Sequence, residues 1–224
     1  MRSMNVNEVF SSAQLEGVNF GVPCTFIRFA KCNLRCDWCD TKYAFKGEVW
    51  TLARMQQKIQ ELGHNHIVFT GGEPLLQKEA IRLIINSFPH YYYEIETNGT
   101  IDPGNELFRD INLFTVSPKL SSSLMEKDRR IIPEILKKFV MWSTIIQGKD
   151  VYFKFVIKTK EDWEEMEDLI KEYQIQSYNV IVMPCATTIK EMRSRRWVFW
   201  NAIKKGYRFS LRGQTILFGK RRGV

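Results

Sequence analysis

The sequence predicts an α/β protein: an open, partial barrel of about six parallel strands with helical crossovers. Three observations predict it. Apolar, β-branched runs of strand length alternate with helical patterns through most of the 224 residues, which is the rhythm of βα units. The strands are too few to close an eight-fold barrel. The conspicuous polar motifs fall just after strands, where parallel α/β sheets hold their ligands.

Taken in order, residues 25–30 read as a strand that runs into a long cysteine-bearing loop. Thr51 is placed to cap a helix reaching about Leu62. Residues 67–70 form a short buried strand ending in Gly71-Gly72-Glu73-Pro74, and residues 78–88 are helical. A strand at 92–96 ends in Thr97-Asn98-Gly99, and one at 113–116 ends in Ser117-Pro118-Lys119. Pro133 suits the first turn of a helix to about Met141. Residues 152–157 are a strand, 161–173 an acidic amphipathic helix, and 180–183 a strand ending at Pro184. Residues 187–205 are mostly helix and 207–211 a last strand. No repeat, low-complexity stretch or linker divides the chain, so residues 1–224 read as one domain.

The hydrophobic fraction, 44%, is ordinary for a globular protein. Residues 1–9 hold no apolar run, so no signal peptide is expected. No stretch approaches the roughly 18 apolar residues of a membrane span, so a soluble, cytoplasmic protein without membrane attachment is expected. The net charge of +8 admits nucleic-acid binding. The basic residues are spread along the chain, however, with short runs only at 127–130, 193–196 and 220–222. They read mainly as solvated surface, no nucleic acid is required, and the same field would serve an anionic small substrate.

Five cysteines are few and odd in number, and three stand within the segment Cys32-Asn33-Leu34-Arg35-Cys36-Asp37-Trp38-Cys39. That argues against a disulfide framework and for a metal site in a reducing compartment. Three thiolates at this spacing can wrap one face of a cubane [4Fe–4S] cluster and leave its fourth iron free for an amine and a carboxylate. A structural zinc is the alternative, but it wants four closed ligands, and Cys24, Cys185 and three histidines form no paired motif. Trp38 either shields the cluster and packs on an adenine or is a plain wall residue. Arg28 lies in an otherwise apolar strand and needs an anionic partner, a substrate carboxylate or a structural salt bridge.

The cysteine motif with an aromatic residue before its last cysteine resembles the radical S-adenosylmethionine superfamily. The longer pattern is similar to the 7-carboxy-7-deazaguanine synthase family. It comprises Phe10-Ser11-Ser12-Ala13-Gln14-Leu15-Glu16-Gly17, Phe26-Ile27-Arg28-Phe29, Cys32 to Thr41, Thr70-Gly71-Gly72-Glu73-Pro74, Glu96-Thr97-Asn98-Gly99-Thr100, Ser117-Pro118-Lys119 and Gly219-Lys220-Arg221-Arg222-Gly223-Val224. The family's usual Gln-Gly-Glu-Gly is Gln14-Leu15-Glu16-Gly17 here, and Gln214 stands where many relatives have histidine.

The resemblance implies a radical SAM core with three cofactors: a [4Fe–4S] cluster on Cys32, Cys36 and Cys39, S-adenosylmethionine, and Mg²⁺ on Thr41, whose alternative role is to cap a turn. It implies that Trp38, Cys39, Asp40, Gly72, Glu73, Ser117, Pro118, Lys119, Met183, Pro184, Cys185 and Ala186 meet S-adenosylmethionine; Met183 is equally at home in a core. It implies that Ala13, Gln14, Leu15, Glu16, Arg28, Thr70 and Val224 meet a pterin. The implied reaction is ring contraction of 6-carboxy-5,6,7,8-tetrahydropterin to 7-carboxy-7-deazaguanine with loss of ammonia, the radical being carried by the cofactor and by no catalytic side chain. A reducing electron donor such as flavodoxin or ferredoxin and a homodimer are also implied. A glycyl-radical activating enzyme and a zinc-stabilised nucleic-acid-binding module are the alternatives.

Overall fold

The structure is a computed structural model describing residues 3–145, 150–219 and 221–224, with the side chain of Ile145 left aside. Lys220, part of the terminal basic run, and the first two residues lie outside the described set. Strands and helices follow in the order β1 (Ser3–Ala13), β2 (Pro23–Phe29), β3 (Glu48–Thr51), α1 (Leu52–Leu62), β4 (His66–Gly71), α2 (Lys78–Ser87), β5 (Tyr92–Thr97), α3 (Asn105–Asp110), β6 (Leu113–Val116), α4 (Lys127–Arg130), α5 (Pro133–Ile145), β7 (Asp150–Ile157), α6 (Lys160–Tyr173), β8 (Val180–Pro184), α7 (Ile189–Ser194), α8 (Arg196–Lys205), β9 (Arg208–Phe209) and α9 (Gly213–Phe218). The strands form one sheet in the order β3-β1-β2-β4-β5-β6-β7-β8-β9. From β2 to β9 every pair is parallel, and β1 and β3 extend the sheet antiparallel at its first edge. β3 and β9 are the two free edges, so the barrel is open.

The period-2 alternation of the strands sorts their side chains onto two faces. On one face Ile27, Phe29, Ile67, Phe69, Tyr93, Ile95, Phe114, Val116, Phe153, Phe155 and Val182 join the main core. The helices meet them there with Met55 and Ile59, Ile81 and Ile84, Phe139 and Trp142, Met166 and Leu169, and Val198. On the other face stand Arg28, Thr70, Glu94, Glu96, Thr115, Lys154 and Met183, all but Glu94 lining a single cavity. Burying so much apolar surface on the helical face is what lets the opposite face carry charge.

Local signals act as the sequence implies. Thr51 caps α1 through the Arg54 N–H at 3.2 Å, and Gly63 ends that helix with φ of 74°. Thr159 and Asp162 form a capping box at the start of α6. Pro133 opens α5.

Three expectations need correction. The expected strands begin at residue 25, but Ser3–Ala13 already form β1, paired with β2 from Val6↔Phe29 to Ala13↔Pro23. Alternating burial of Met4 and Val6 is its signal, and a bulge between Val6 and Glu8 interrupts it. The helix expected over 187–205 breaks at Arg195 into α7 and α8, and the last strand shrinks to Arg208–Phe209.

Candidate active site

A cavity of about 570 Å³ opens at the carboxyl ends of the strands. The cysteine loop forms one wall. It closes on itself, because Lys31 N–H donates to the Ala44 carbonyl at 2.9 Å. It rides on the end of β4: Gly72 N–H donates to Phe29 O and Glu73 N–H to Lys31 O, at 3.1 and 2.9 Å. The approach is so close that a Cβ on Gly72 would overlap the Lys31 carbonyl and stand 2.9 Å from Cys32 Cβ. Only glycine gives the cysteine loop this footing.

Cys32, Cys36 and Cys39 all line the cavity. The Cys32 sulfur accepts from Leu34 N–H at 3.4 Å and from Asn98 Nδ2 at 3.9 Å. Burial pushes the Cys32 and Cys36 thiols up, and the charge of a bound metal would favour their thiolates. No three His, Cys, Asp or Glu side chains among the described residues crowd around a single-ion point. Thiols set apart but facing one cavity suit a cubane, whose ligands bind separate irons, better than a closed zinc. Thr41 Oγ1 lies 3.5 Å from Cys39 Sγ on the cavity wall. Asp40 beside it turns to Arg212, with Oδ2 3.3 Å from Nη1. With Asp40 engaged by Arg212, the Thr41 hydroxyl is an oxygen of this loop that lines the cavity.

Charged side chains line the rest of the cavity. Arg28 Nε donates to Glu8 Oε1 at 2.7 Å, while its terminal nitrogens have no hydrogen-bond partner among the described residues. Tyr43 and Phe10 flank the guanidinium. Glu8 also faces Arg222 at 3.7 Å, and Arg222 stacks over Tyr43, so the chain's last residues fold onto this wall. Gln14 is buried; its Nε2 donates to Glu94 and Glu96 at 3.0 and 3.3 Å, and Thr70 Oγ1 donates to Glu96 at 2.8 Å. Glu16 pairs with Lys154 at 2.6 Å, accepts from Gln214 Nε2 at 2.7 Å, and faces Arg212 Nε at 3.4 Å. Leu15 packs against Gly213, whose N–H donates to the Leu15 carbonyl at 2.9 Å.

This geometry can be set beside known proteins. The radical SAM superfamily profile matches residues 26–193. A 7-carboxy-7-deazaguanine synthase of Rhodopirellula baltica is 32% identical, across 99% of this chain and 89% of the relative. One of Pyrobaculum aerophilum is 30% identical, across 98% and 97%. The chain belongs to the 7-carboxy-7-deazaguanine synthase family. Among solved structures, QueE from Escherichia coli superposes with a TM-score of 0.70 at 22% identity, covering 93% of each chain, a likeness of fold. Membership makes this a radical SAM enzyme of the lyase type that uses a [4Fe–4S] cluster and S-adenosylmethionine. It sets aside the glycyl-radical activase and the zinc-stabilised nucleic-acid module.

Most of the residues that the family pattern singles out meet in the one cavity. Its lining includes Ala13, Gln14, Leu15, Glu16, Arg28, Thr70 and Val224, and also Trp38, Asp40, Gly72, Ser117, Lys119 and Met183. Five do not reach it: Glu73, Pro118, Pro184, Cys185 and Ala186. Glu73 is wholly buried and accepts from Leu75 N–H, Thr97 Oγ1 and Asn98 N–H at 2.8 to 3.0 Å, tying the ends of β4 and β5 together. Ala186 offers its carbonyl to Arg212 at 3.1 Å. Trp38 packs with Val156, Met183 and Cys185, and donates to Ser122 at 3.1 Å.

Lys154, Arg212, Glu8 and Tyr43 were not anticipated from sequence. Lys154 carried a readable signal, a lone cation in an apolar strand, the same signal that marked Arg28. Arg212 had none, since it follows the shortest strand and precedes a helix the periodicity does not show.

Proposed function

We propose that this chain converts 6-carboxy-5,6,7,8-tetrahydropterin to 7-carboxy-7-deazaguanine with loss of ammonia, and that its charged wall holds the pterin. The observation that carries the reading is one cavity lined by three thiols together with Arg28 and Glu16. When bound, the reduced cluster and S-adenosylmethionine would supply the radical chemistry that removes hydrogen from the substrate. The chain's own residues bind and orient. The two terminal nitrogens of Arg28 are free to take the substrate carboxylate as a fork. Glu8 fixes that fork by holding Nε. Gln14, Glu16 and Thr70 set the amino–amide edge of the pterin, with Ala13, Leu15 and Val224 shaping the rim. Cys32, Cys36 and Cys39 hold the cluster. Trp38, Gly72, Ser117, Lys119 and Met183 line the place for S-adenosylmethionine, and Glu73 supports it from behind through Asn98. Thr41 would hold Mg²⁺, which would supply a hard cation for the substrate's carboxylate.

Family resemblance supports finer readings: electrons from a flavodoxin or ferredoxin, a homodimer, and a cytoplasmic setting. No helix among the described residues is long and apolar enough to cross a membrane. The test is an anaerobic incubation of the reconstituted protein with the carboxy-tetrahydropterin, a reductant and Mg²⁺, read by mass spectrometry. The expected product is 7-carboxy-7-deazaguanine; 5′-deoxyadenosine without it would refute the substrate assignment.

A further inference from the structure

Lys154 stands mid-strand in β7, facing the cavity two residues before Val156. Its side chain is 8% exposed, and its Nζ lies 2.6 Å from Glu16 Oε2. A cation buried to this degree is tolerated only where an anion answers it. The groups around Glu16 come from several elements: Lys154 from β7, Arg212 after β9, Gln214 from α9 and Glu96 from β5, with Asp40 of the cysteine loop beyond Arg212. Glu94 lies behind Gln14.

The protonation of Glu16 decides what this cluster can bind. An ionised carboxylate only accepts, so Gln214 must turn Nε2 toward it. That turn leaves Gln214 Oε1 buried and without a partner among the described residues, on a side chain that lines the cavity. A buried acceptor left unpaired is costly until a donor arrives. Glu16 has lone pairs to spare beyond its contacts to Lys154, Gln214 and Arg212. Glu16 and Gln214 therefore offer neighbouring acceptors to a ligand edge carrying N–H groups.

We propose that Lys154 is a positioning residue for the substrate: it keeps Glu16 ionised and turned so that Glu16 and the Gln214 carbonyl accept the N–H donors of the pterin's amino–amide edge. The proposal rests on the reading of Glu16 as a substrate contact. Burial alone would push the Glu16 carboxyl up, but the charges of Lys154 and Arg212 and the hydrogen bonds from Lys154 and Gln214 hold it at about 2. Glu16 and Glu96 in turn raise the Lys154 ammonium above the ordinary lysine range despite its burial. Removing the ammonium leaves Glu16 beside Glu96 in a buried wall, where the protonated carboxyl gains.

The experiment measures kcat and KM for the carboxy-tetrahydropterin across the weakly acidic to neutral range, with reconstituted wild type, Lys154→Met, Lys154→Arg and Glu16→Gln. Lys154→Met should raise KM about tenfold at neutral pH, the scale of one lost charge-assisted interaction. It should also give kcat/KM an acid limb that wild type lacks. Lys154→Arg should recover most of the KM and lose that limb. If Lys154→Met does not fold, Lys154→Gln against Lys154→Arg carries the same contrast. Unchanged KM and pH profile in the uncharged variant would overturn the proposal, as would an arginine variant no better than the uncharged one. Glu16→Gln separates the two levels: a normal KM in that variant refutes the underlying reading, whereas an impaired Glu16→Gln beside a normal Lys154→Met refutes the role of Lys154 alone.

Discussion

The geometry of Arg28 leaves room for both readings that its place in the sequence offers, a structural ion pair and a proposed clamp on the substrate carboxylate. Its Nε is spent on a salt bridge to Glu8, yet its terminal nitrogens face the cavity without a partner among the described residues. A lysine at this position keeps the charge but loses the fork. Arg28→Lys should therefore raise the pterin KM by about tenfold while leaving iron content unchanged; a KM equal to wild type would reduce Arg28 to a structural ion pair. Glu16 makes a separate prediction in acid. Its folded pKa, about 2, lies below the ordinary value of 4.5, so the stability it contributes is present above about pH 4.5 and is lost as pH falls toward 2. Urea midpoints of wild type and Glu16→Gln should differ at neutral pH and converge through that acid window. A gap between them that ignores pH would show that the ion pair is not what stabilises this wall.

At the scale of elements, the cysteine loop is an extension of the sheet. The backbone of Gly72 and Glu73 continues the β2–β4 pairing into Phe29 and Lys31, one residue before Cys32. Gly72→Ala forces a Cβ into the Lys31 carbonyl, an overpacking that costs about 1–3 kcal/mol. Thermal melts should show the loss, and the variant should take up less iron on reconstitution; a full iron load with a wild-type melt would contradict the close approach. The cysteines test the same element. Ala in place of Cys32, Cys36 or Cys39 should abolish the cluster's visible absorbance. Cys24→Ala and Cys185→Ala should retain it, because Cys24 is buried with Phe26 and Val68, Cys185 is buried in the Trp38 cluster, and neither lines the cavity.

Across the whole molecule, the alternation of each strand separates a helix-packed face from a ligand face, and that division explains what was legible beforehand. Runs such as 67–70 and 113–116 are buried on both faces, so they read as strands from composition alone, and the motifs after them read as ligand loops. β1 was hidden because its middle, Asn7 to Phe10, is half-buried and a bulge between Val6 and Glu8 breaks the period. α9 was hidden because a six-residue helix carries too few turns to show a period. The three thiols that line the cavity together were readable from spacing alone. The Glu16, Lys154 and Arg212 cluster was not, since only the sheet order brings residues so distant in sequence to one wall. The central proposal is that a radical generated beside the three thiols acts on a pterin held by the charged residues of the same cavity. The direct measurement is an anaerobic turnover with carboxy-tetrahydropterin carrying deuterium at C6. The account predicts 7-carboxy-7-deazaguanine together with 5′-deoxyadenosine that has gained deuterium; unlabelled 5′-deoxyadenosine, or deuterium transfer without ring contraction, would contradict it.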